Sequence, residues 1–156
     1  MLTYRNLQED DCDFILQHWV GKSSIFRDND KDKLIQTIHD MNTKSYNGNY
    51  YEIFGVLNHN VLVGTVSLYQ RDIDIPENAV YLGIEIAMEN RRKGFATNAA
   101  YMSFVIAKEK GYDKIFSQVR TDNIASVKLH AKCGFDIVNK TINTRGNEVY
   151  NYLKIL

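Results

Sequence analysis

Glu89-Asn90-Arg91-Arg92-Lys93-Gly94-Phe95-Ala96-Thr97 is the stretch on which the fold of this chain turns. An apolar, strand-like run, Ala79–Met88, precedes it. After it, apolar residues recur at helical spacing from Gly94 to Lys110. Three consecutive cations followed by small residues at a strand-to-helix junction suit a pyrophosphate. The first N–H groups of a helix lack intrahelical partners, and the helix dipole favours an anion beside them. Gly94 and Ala96 keep side chains clear, so phosphates can approach the backbone. The expectation is a nucleotide-like cofactor held at this turn.

The flanking sequence reads as strands and helices in alternating blocks. Leu2–Leu7 alternates as a short strand. Asp10–Val20 sets Phe14, Ile15, Trp19 and Val20 at helical spacing with acids in the first turn, and Gly21 ends it. Lys31–Tyr46 places Leu34, Ile35, Ile38 and Met41 on one helical face, and Asn47-Gly48-Asn49 is a turn. Tyr50–Leu57 and Val61–Tyr69 read as strands joined by a hairpin turn at Asn58-His59-Asn60. A loop around Asp74–Pro76 leads into Ala79–Met88. Gly111 closes the long helix, and Lys114–Arg120 is the next strand, with Ile115 and Phe116 in the core. Thr121 or Asp122 caps a short helix over Asn123–Cys133, which Gly134 ends. Strands near Phe135–Thr141 and Val149–Leu156 meet at an Arg145-Gly146-Asn147 turn. This order predicts an α/β (α+β) sheet with helices on its faces.

Composition narrows the function. Lys plus Arg and Asp plus Glu are both 19 in 156 residues, a balance that argues against a nucleic-acid binder. Cys12 and Cys133 lie far apart and form no CxxC pair, so neither a disulfide framework nor a metal site is expected. The lack of a signal core and of a membrane-length apolar run makes a cytoplasmic protein with no membrane partner the expectation. With one proline and no low-complexity stretch, the reading is a single domain over residues 1–156. Glu9, Asp10, Asp11 and Asp13 form either a solvated helix start or an acidic lip for a cationic substrate.

Two common nucleotide signatures fail. A dinucleotide fingerprint needs G-x-G-x-x-G, but the turn offers only Gly94. A Walker loop needs a glycine five residues before Gly21-Lys22-Ser23, where Leu16 stands. Arg91-Arg92-Lys93-Gly94-Phe95-Ala96 instead resembles the pyrophosphate motif of the Gcn5-related N-acetyltransferase (GNAT) superfamily: Arg or Gln, two residues, Gly, one residue, Gly or Ala. Asn123–Phe135, an asparagine-led helix ending in Gly134-Phe135, is similar to that family's second cofactor motif. The likeness covers nearly all of Tyr50–Leu156. The Asn123-x-x-Ser126 helix looks most like the branch that modifies ribosomal-protein N-termini, polyamines and related amines.

The resemblance implies a mixed, mostly antiparallel central sheet of about seven strands flanked by about four helices, with two central strands splayed apart. It implies acetyl-CoA as co-substrate without a metal, an amine acceptor (a small molecule or a protein N-terminus), and a homodimer as one possible assembly. Arg91, Arg92, Lys93, Gly94, Phe95, Ala96 and Thr97 would hold the pyrophosphate. Asn123, Ser126 and His130 would contribute from the second motif. Backbone groups of Ile86, Ala87 and Met88 would pair with the pantetheine arm, one N–H facing the thioester carbonyl.

Acetyl transfer requires an amine that has lost its proton. Glu85 interrupts the apolar run Tyr81–Ala87, and a carboxylate there is costly unless it faces a polar cleft or a partner. Glu85 is therefore either the general base, its pKa raised by burial, or a strand residue paired to a cation or facing solvent. His130 stands where many relatives carry a tyrosine acid, and reads as a proton donor to the thiolate or as a silent substitute. Tyr101, Tyr150 and Tyr152 are stand-in donors or core residues, and Cys133 reads as packing. Acceptor walls would come from Trp19–Asp30, Tyr46–Tyr51, Tyr69–Asn78 and the Arg145–Asn147 turn. Two rivals stay open: a coenzyme A-binding module without catalysis, and another nucleotide-binding α/β protein.

Overall fold

The computed structural model describes residues 1–18, 30–43, 45–46, 49–70 and 76–156. Its strands are β1 (Leu2–Asn6), β2 (Ser45–Tyr46), β3 (Asn49–Asn58), β4 (Val61–Tyr69), β5 (Ala79–Ile86), β6 (Lys114–Arg120), β7 (Asp136–Ile142) and β8 (Glu148–Ile155). Seven form one sheet in the order β1-β3-β4-β5-β6-β8-β7, and β2 adds a short pairing to β3. Among the described residues only β5 and β6 run parallel; every other pair is antiparallel. The β3–β4 hairpin closes at His59 and Asn60, both at positive φ (50° and 65°), which short polar residues tolerate.

The helices among the described residues are α1 (Cys12–His18), α2 (Lys31–Asn42), α3 (Phe95–Glu109) and α4 (Ile124–Lys132). Apolar side chains divide between the two sheet faces according to strand alternation. Val66, Leu68, Val80, Leu82, Ile115 and Tyr152 pack with Ala99, Ala100 and Ala107 of α3. On the opposite face, Ile53, Leu62 and Ala87 pack with Cys12 and Ile15 of α1 and Leu34, Ile38 and Met41 of α2.

Several boundaries differ from the sequence reading. The first helix opens as a 3-10 turn at Glu9–Asp11, and Trp19, Val20 and Gly21 lie outside the described residues. The second stops at Asn42 rather than Tyr46. Thr43 turns its hydroxyl onto the Asp40 carbonyl at 2.7 Å, Asn42 donates to the Leu7 carbonyl at 2.5 Å, and Ser45–Tyr46 joins the sheet. Gly48 also lies outside the described residues. The third long strand ends at Ile86, because Met88–Asn90 curls into a 3-10 turn. The short helix is capped by Asn123 itself, whose side-chain oxygen accepts from Ser126 N at 3.2 Å. Neither Thr121 nor Asp122 caps it: Asp122 is held instead by Arg120 at 2.7 Å.

The acidic run near the N-terminus is largely neutralised from within. Asp11 is buried and takes both guanidinium nitrogens of Arg5 at 2.8 and 3.0 Å. Asp13 pairs with Lys31 at 3.0 Å. Glu9, Asp10 and Asp13 stay exposed, with Glu9 3.8 Å from His39.

Candidate active site at a wedge in the sheet

The parallel β5–β6 pair holds for only three rungs, Ala79↔Lys114, Val80↔Ile115 and Tyr81↔Phe116. Beyond Tyr81, β5 stays paired to β4 as far as Ile86, and β6 stays paired to β8 as far as Arg120. The two strands therefore splay, and the edges of Leu82–Ile86 and Ser117–Arg120 no longer pair with each other. A parted edge of this kind is a row of backbone donors and acceptors suited to an extended ligand.

The mouth of the wedge lies beside the cationic turn. Arg91 ties the turn to the strand end, its Nε donating to the Ile86 carbonyl at 3.1 Å. Arg91, Arg92, Lys93 and Gly94 are exposed, and Phe95, Ala96 and Thr97 are half-buried. Gly94 is the N-cap of α3 at φ 79°, and no side chain caps that helix start. Among the described residues, a Cβ on Gly94 would meet nothing within 4 Å. Glycine is thus needed for the left-handed backbone, and the space above it is open. Uncapped amides, open space and three exposed cations fit a diphosphate on chemical grounds.

Ile86 and Ala87 are buried and Met88 is exposed. Asn123 is exposed and its side-chain oxygen serves the helix cap, while Ser126 is half-buried one turn before His130.

His130 sits at the vertex of the wedge. It is buried, with its ring 4.6 Å from Tyr152 and 4.8 Å from Phe135, centroid to centroid. Its Nδ1 lies 2.8 Å from the Ser126 carbonyl, which can only accept, so Nδ1 carries the hydrogen. Nε2 then accepts from the Ser117 hydroxyl at 3.0 Å. Ser117 also lies 3.5 Å from the Leu82 carbonyl, just past the last paired rung. With one hydroxyl hydrogen, the shorter bond to His130 takes it. Burial pushes the His130 pKa down, partly opposed by the bond to Ser126. The imidazole at the vertex is thus neutral near pH 7.

Glu85 points to the other face, half-buried and opposite Thr65 of β4. The wedge therefore separates the two sequence-derived catalytic candidates, Glu85 on the α1/α2 side and His130 on the α3/α4 side. Tyr152 is buried, Tyr150 is half-buried against it, and Tyr101 is exposed on α3. Cys133 is buried, and burial pushes its thiol pKa up, as suits packing. Sequence reading missed Ser117. The signal was present, since a serine alternates with Ile115 and Val119 on the core face of β6. A cleft of 450 Å³, lined by Pro76, Phe116, Gln118, Asn139, Asn151 and Leu153 among others, contains none of the predicted catalytic or cofactor-binding residues but includes Pro76 of the expected Tyr69–Asn78 acceptor wall.

Residues 1–136 match the acetyltransferase (GNAT) domain family, and the chain belongs to that family. No protein of curated function matches it by sequence. Solved structures share the fold. YncA of Salmonella typhimurium, solved with its cofactor acetyl-CoA, is 17% identical over 100% of this chain and 94% of its own, with a TM-score of 0.77. A ribosomal-protein-alanine N-acetyltransferase of Brucella melitensis is 18% identical over 99% of each chain, with a TM-score of 0.79. A dodecameric spermidine N-acetyltransferase of Vibrio cholerae is 22% identical over 99% of this chain and 93% of its own, with a TM-score of 0.76. The mixed sheet, its splayed central strands and its four described helices agree with the expected architecture. Among the described residues, no helix is long and apolar enough to cross a membrane.

Proposed function

We propose that this chain is an acetyl-CoA-dependent N-acetyltransferase that moves an acetyl group directly onto a primary amine. The observation that carries the proposal is the open wedge ending at an uncapped, cation-flanked helix start. The turn from Arg91 to Thr97 would grip the pyrophosphate. The free edge near Ile86–Met88 would take the pantetheine arm, and an N–H there would stabilise the oxyanion, an effect worth about 3 kcal/mol where donors are preorganised. Asn123 and Ser126 would border the cofactor from α4.

In this reading the acceptor ammonium gives one proton to Glu85, directly or through one water, the freed lone pair attacks the thioester carbonyl carbon, and the nitrogen loses its second proton to solvent as the tetrahedral adduct collapses. A C–N bond forms, the C–S bond breaks, and the sulfur leaves as thiolate. His130 is the less suitable acid, because donation would require an imidazolium that burial disfavours. We assign it instead to positioning Ser117 at the vertex. The thiolate is a good leaving group and takes its proton from solvent.

The acceptor is a primary amine of a small molecule or a protein N-terminus. The two acetyltransferases named for ribosomal-protein alanine and spermidine make an alanine-led peptide and spermidine the first acceptors to try. The dodecameric relative makes self-association a reading to test by sedimentation. Arg91→Glu should weaken acetyl-CoA binding at least tenfold in titration calorimetry, because it sets an anion beside the diphosphate. Unchanged affinity would remove the phosphate-turn assignment. The buried, neutral His130 also keeps a second reading in view, a coenzyme A-binding module without turnover. Thiol release from acetyl-CoA in the presence of an amine panel separates the two.

A further inference from the structure

Three groups line up at the vertex of the wedge on the α3/α4 face. Ser117 is the first residue of β6 beyond the last parallel rung, Tyr81↔Phe116. Its hydroxyl donates to His130 Nε2 at 3.0 Å, and His130 Nδ1 donates to the Ser126 carbonyl at 2.8 Å. A hydroxyl, an imidazole that can take its proton, and an acceptor that fixes the far ring nitrogen make an activated nucleophile. The tautomer is the one this chemistry needs, with the Nε2 lone pair turned to the serine. Burial keeps the ring neutral, the form in which it serves as a base.

Rigid elements hold all three groups. The His130 ring lies 4.8 Å from Phe135 and 4.6 Å from Tyr152, centroid to centroid. Ser126 stands one turn earlier on the same helix, so base and orienting carbonyl move together. Ser117 sits on β6 opposite Tyr152 of β8. Both Ser117 and His130 are buried, and the way to them is along the parted strands. Across that gap the Ser117 oxygen is 3.5 Å from the Leu82 carbonyl, at the closed end of the wedge. An acyl arm laid along the edge of β5 therefore runs toward this hydroxyl. Leu82 turns its carbonyl to the gap, and strand alternation turns the Ile84 N–H the same way, a donor for an oxyanion.

We infer that Ser117 is a nucleophile toward the thioester, and that the chain hydrolyses acetyl-CoA through an acetyl-serine ester when no amine is bound. This rests on the transferase reading's placement of acetyl-CoA in the wedge and adds a second fate for the acetyl group. Ser117 Oγ attacks the carbonyl carbon while its proton passes to His130 Nε2. The Oγ–C bond forms, the C–S bond breaks, and the imidazolium returns that proton to the departing thiolate. Water then gives a proton to Nε2 and attacks the ester carbon. The C–Oγ bond breaks, Oγ recovers the proton, and acetate leaves. The sum is acetyl-CoA and water giving acetate, coenzyme A and one proton. The orienting group is a neutral carbonyl, so it fixes the ring without the charge that a carboxylate would set against an imidazolium. Hydrolysis should therefore be slower than transfer to an amine.

The test gives the protein saturating acetyl-CoA with no amine present and follows thiol release with a thiol dye. Wild type should release thiol at least tenfold faster than Ser117→Ala and His130→Gln. Equal release by wild type and Ser117→Ala would overturn the inference, and so would wild-type release at the protein-free rate. A second measurement needs no variant and no turnover. Methanesulfonyl fluoride is small and sulfonylates an activated serine: an Oγ–S bond forms, the S–F bond breaks, and fluoride leaves. Peptide mapping of wild type should find the sulfonyl group on Ser117, and coenzyme A should protect it. Ser117 left unlabelled, under conditions that label a serine protease, would reduce the Ser117–His130 pair to a core hydrogen bond. Labelling and thiol release through Ser117, without acetylation of spermidine or an alanine-led peptide, would end the transferase reading and leave the nucleophile standing. Acetylation of either amine beside an unlabelled Ser117 would do the reverse.

Discussion

Gly94 and His130 show how single residues set the terms of this site. Gly94 holds φ 79° at the start of α3, with empty space where a side chain would be. Gly94→Ala meets no clash and incurs only the left-handed backbone cost of about 1–2 kcal/mol. In a chain of this size that lowers Tm by about 2–4 °C per kcal/mol. Acetyl-CoA affinity should fall further than this strain alone explains, because the added methyl stands over the amides. Calorimetry beside a melting curve separates the two effects. His130 makes a different prediction, through pH. The unfolded imidazole protonates near pH ~6.5, whereas the buried one, its pKa pushed down by desolvation, protonates only at lower pH. Between those two values the unfolded chain binds more protons, so stability falls as pH drops through that window and levels off below it. Urea midpoints measured from pH 7.5 downward should decline in wild type and decline less in His130→Gln, which cannot titrate. Parallel curves would show that His130 does not govern the acid limb.

At the scale of elements, α4 carries two readings that one substitution series resolves. Asn123 caps the helix through its side-chain oxygen, and Gly134 at φ 81° closes it, with Phe135 N returning to the His130 carbonyl at 3.0 Å. Asn123→Ala should cost about 1 kcal/mol of stability. Asn123→Asp keeps an oxygen cap and should restore it. If Asn123 also touches the cofactor, Asn123→Asp restores stability but not acetyl-CoA affinity; recovery of both leaves a cap alone. The same helix shows what the sequence made legible. Its extent and its Gly-Phe ending were readable because glycine and asparagine have strong local preferences. The cap was misplaced by one or two residues because Thr121, Asp122 and Asn123 all favour that role, and the choice was settled by Arg120 holding Asp122. The end of α2 was misread for a related reason. Thr43 through Tyr46 can join either a helix or a strand, and pairing of Ser45 and Tyr46 with Tyr50 and Asn49 decides it.

Over the whole molecule, the wedge was expected only as what the family resemblance implies, since strand-by-strand patterning does not show where β5 and β6 part. The phosphate turn was visible as Arg91–Ala96, and Glu85 stood out as an acid in an apolar strand. The wedge leaves the sheet in two halves, β1-β3-β4-β5 and β6-β8-β7, joined through the described strands by three parallel rungs. A ligand that lies along the free edge of β5 would satisfy backbone groups there and make the halves more rigid. Binding to the native state alone adds about 2.7 kcal/mol at a ligand concentration of 100 Kd. Its location distinguishes the modes of binding. If acetyl-CoA fills the wedge as an extra strand, hydrogen exchange should slow in Leu82–Met88 as well as in Gly94–Asn98. If only the phosphate turn holds it, protection should stop at the start of α3. Exchange followed by mass spectrometry with and without acetyl-CoA reads both segments in one experiment. Protection confined to the helix start would mean that the thioester never reaches Glu85, and the direct-transfer chemistry would have to be abandoned.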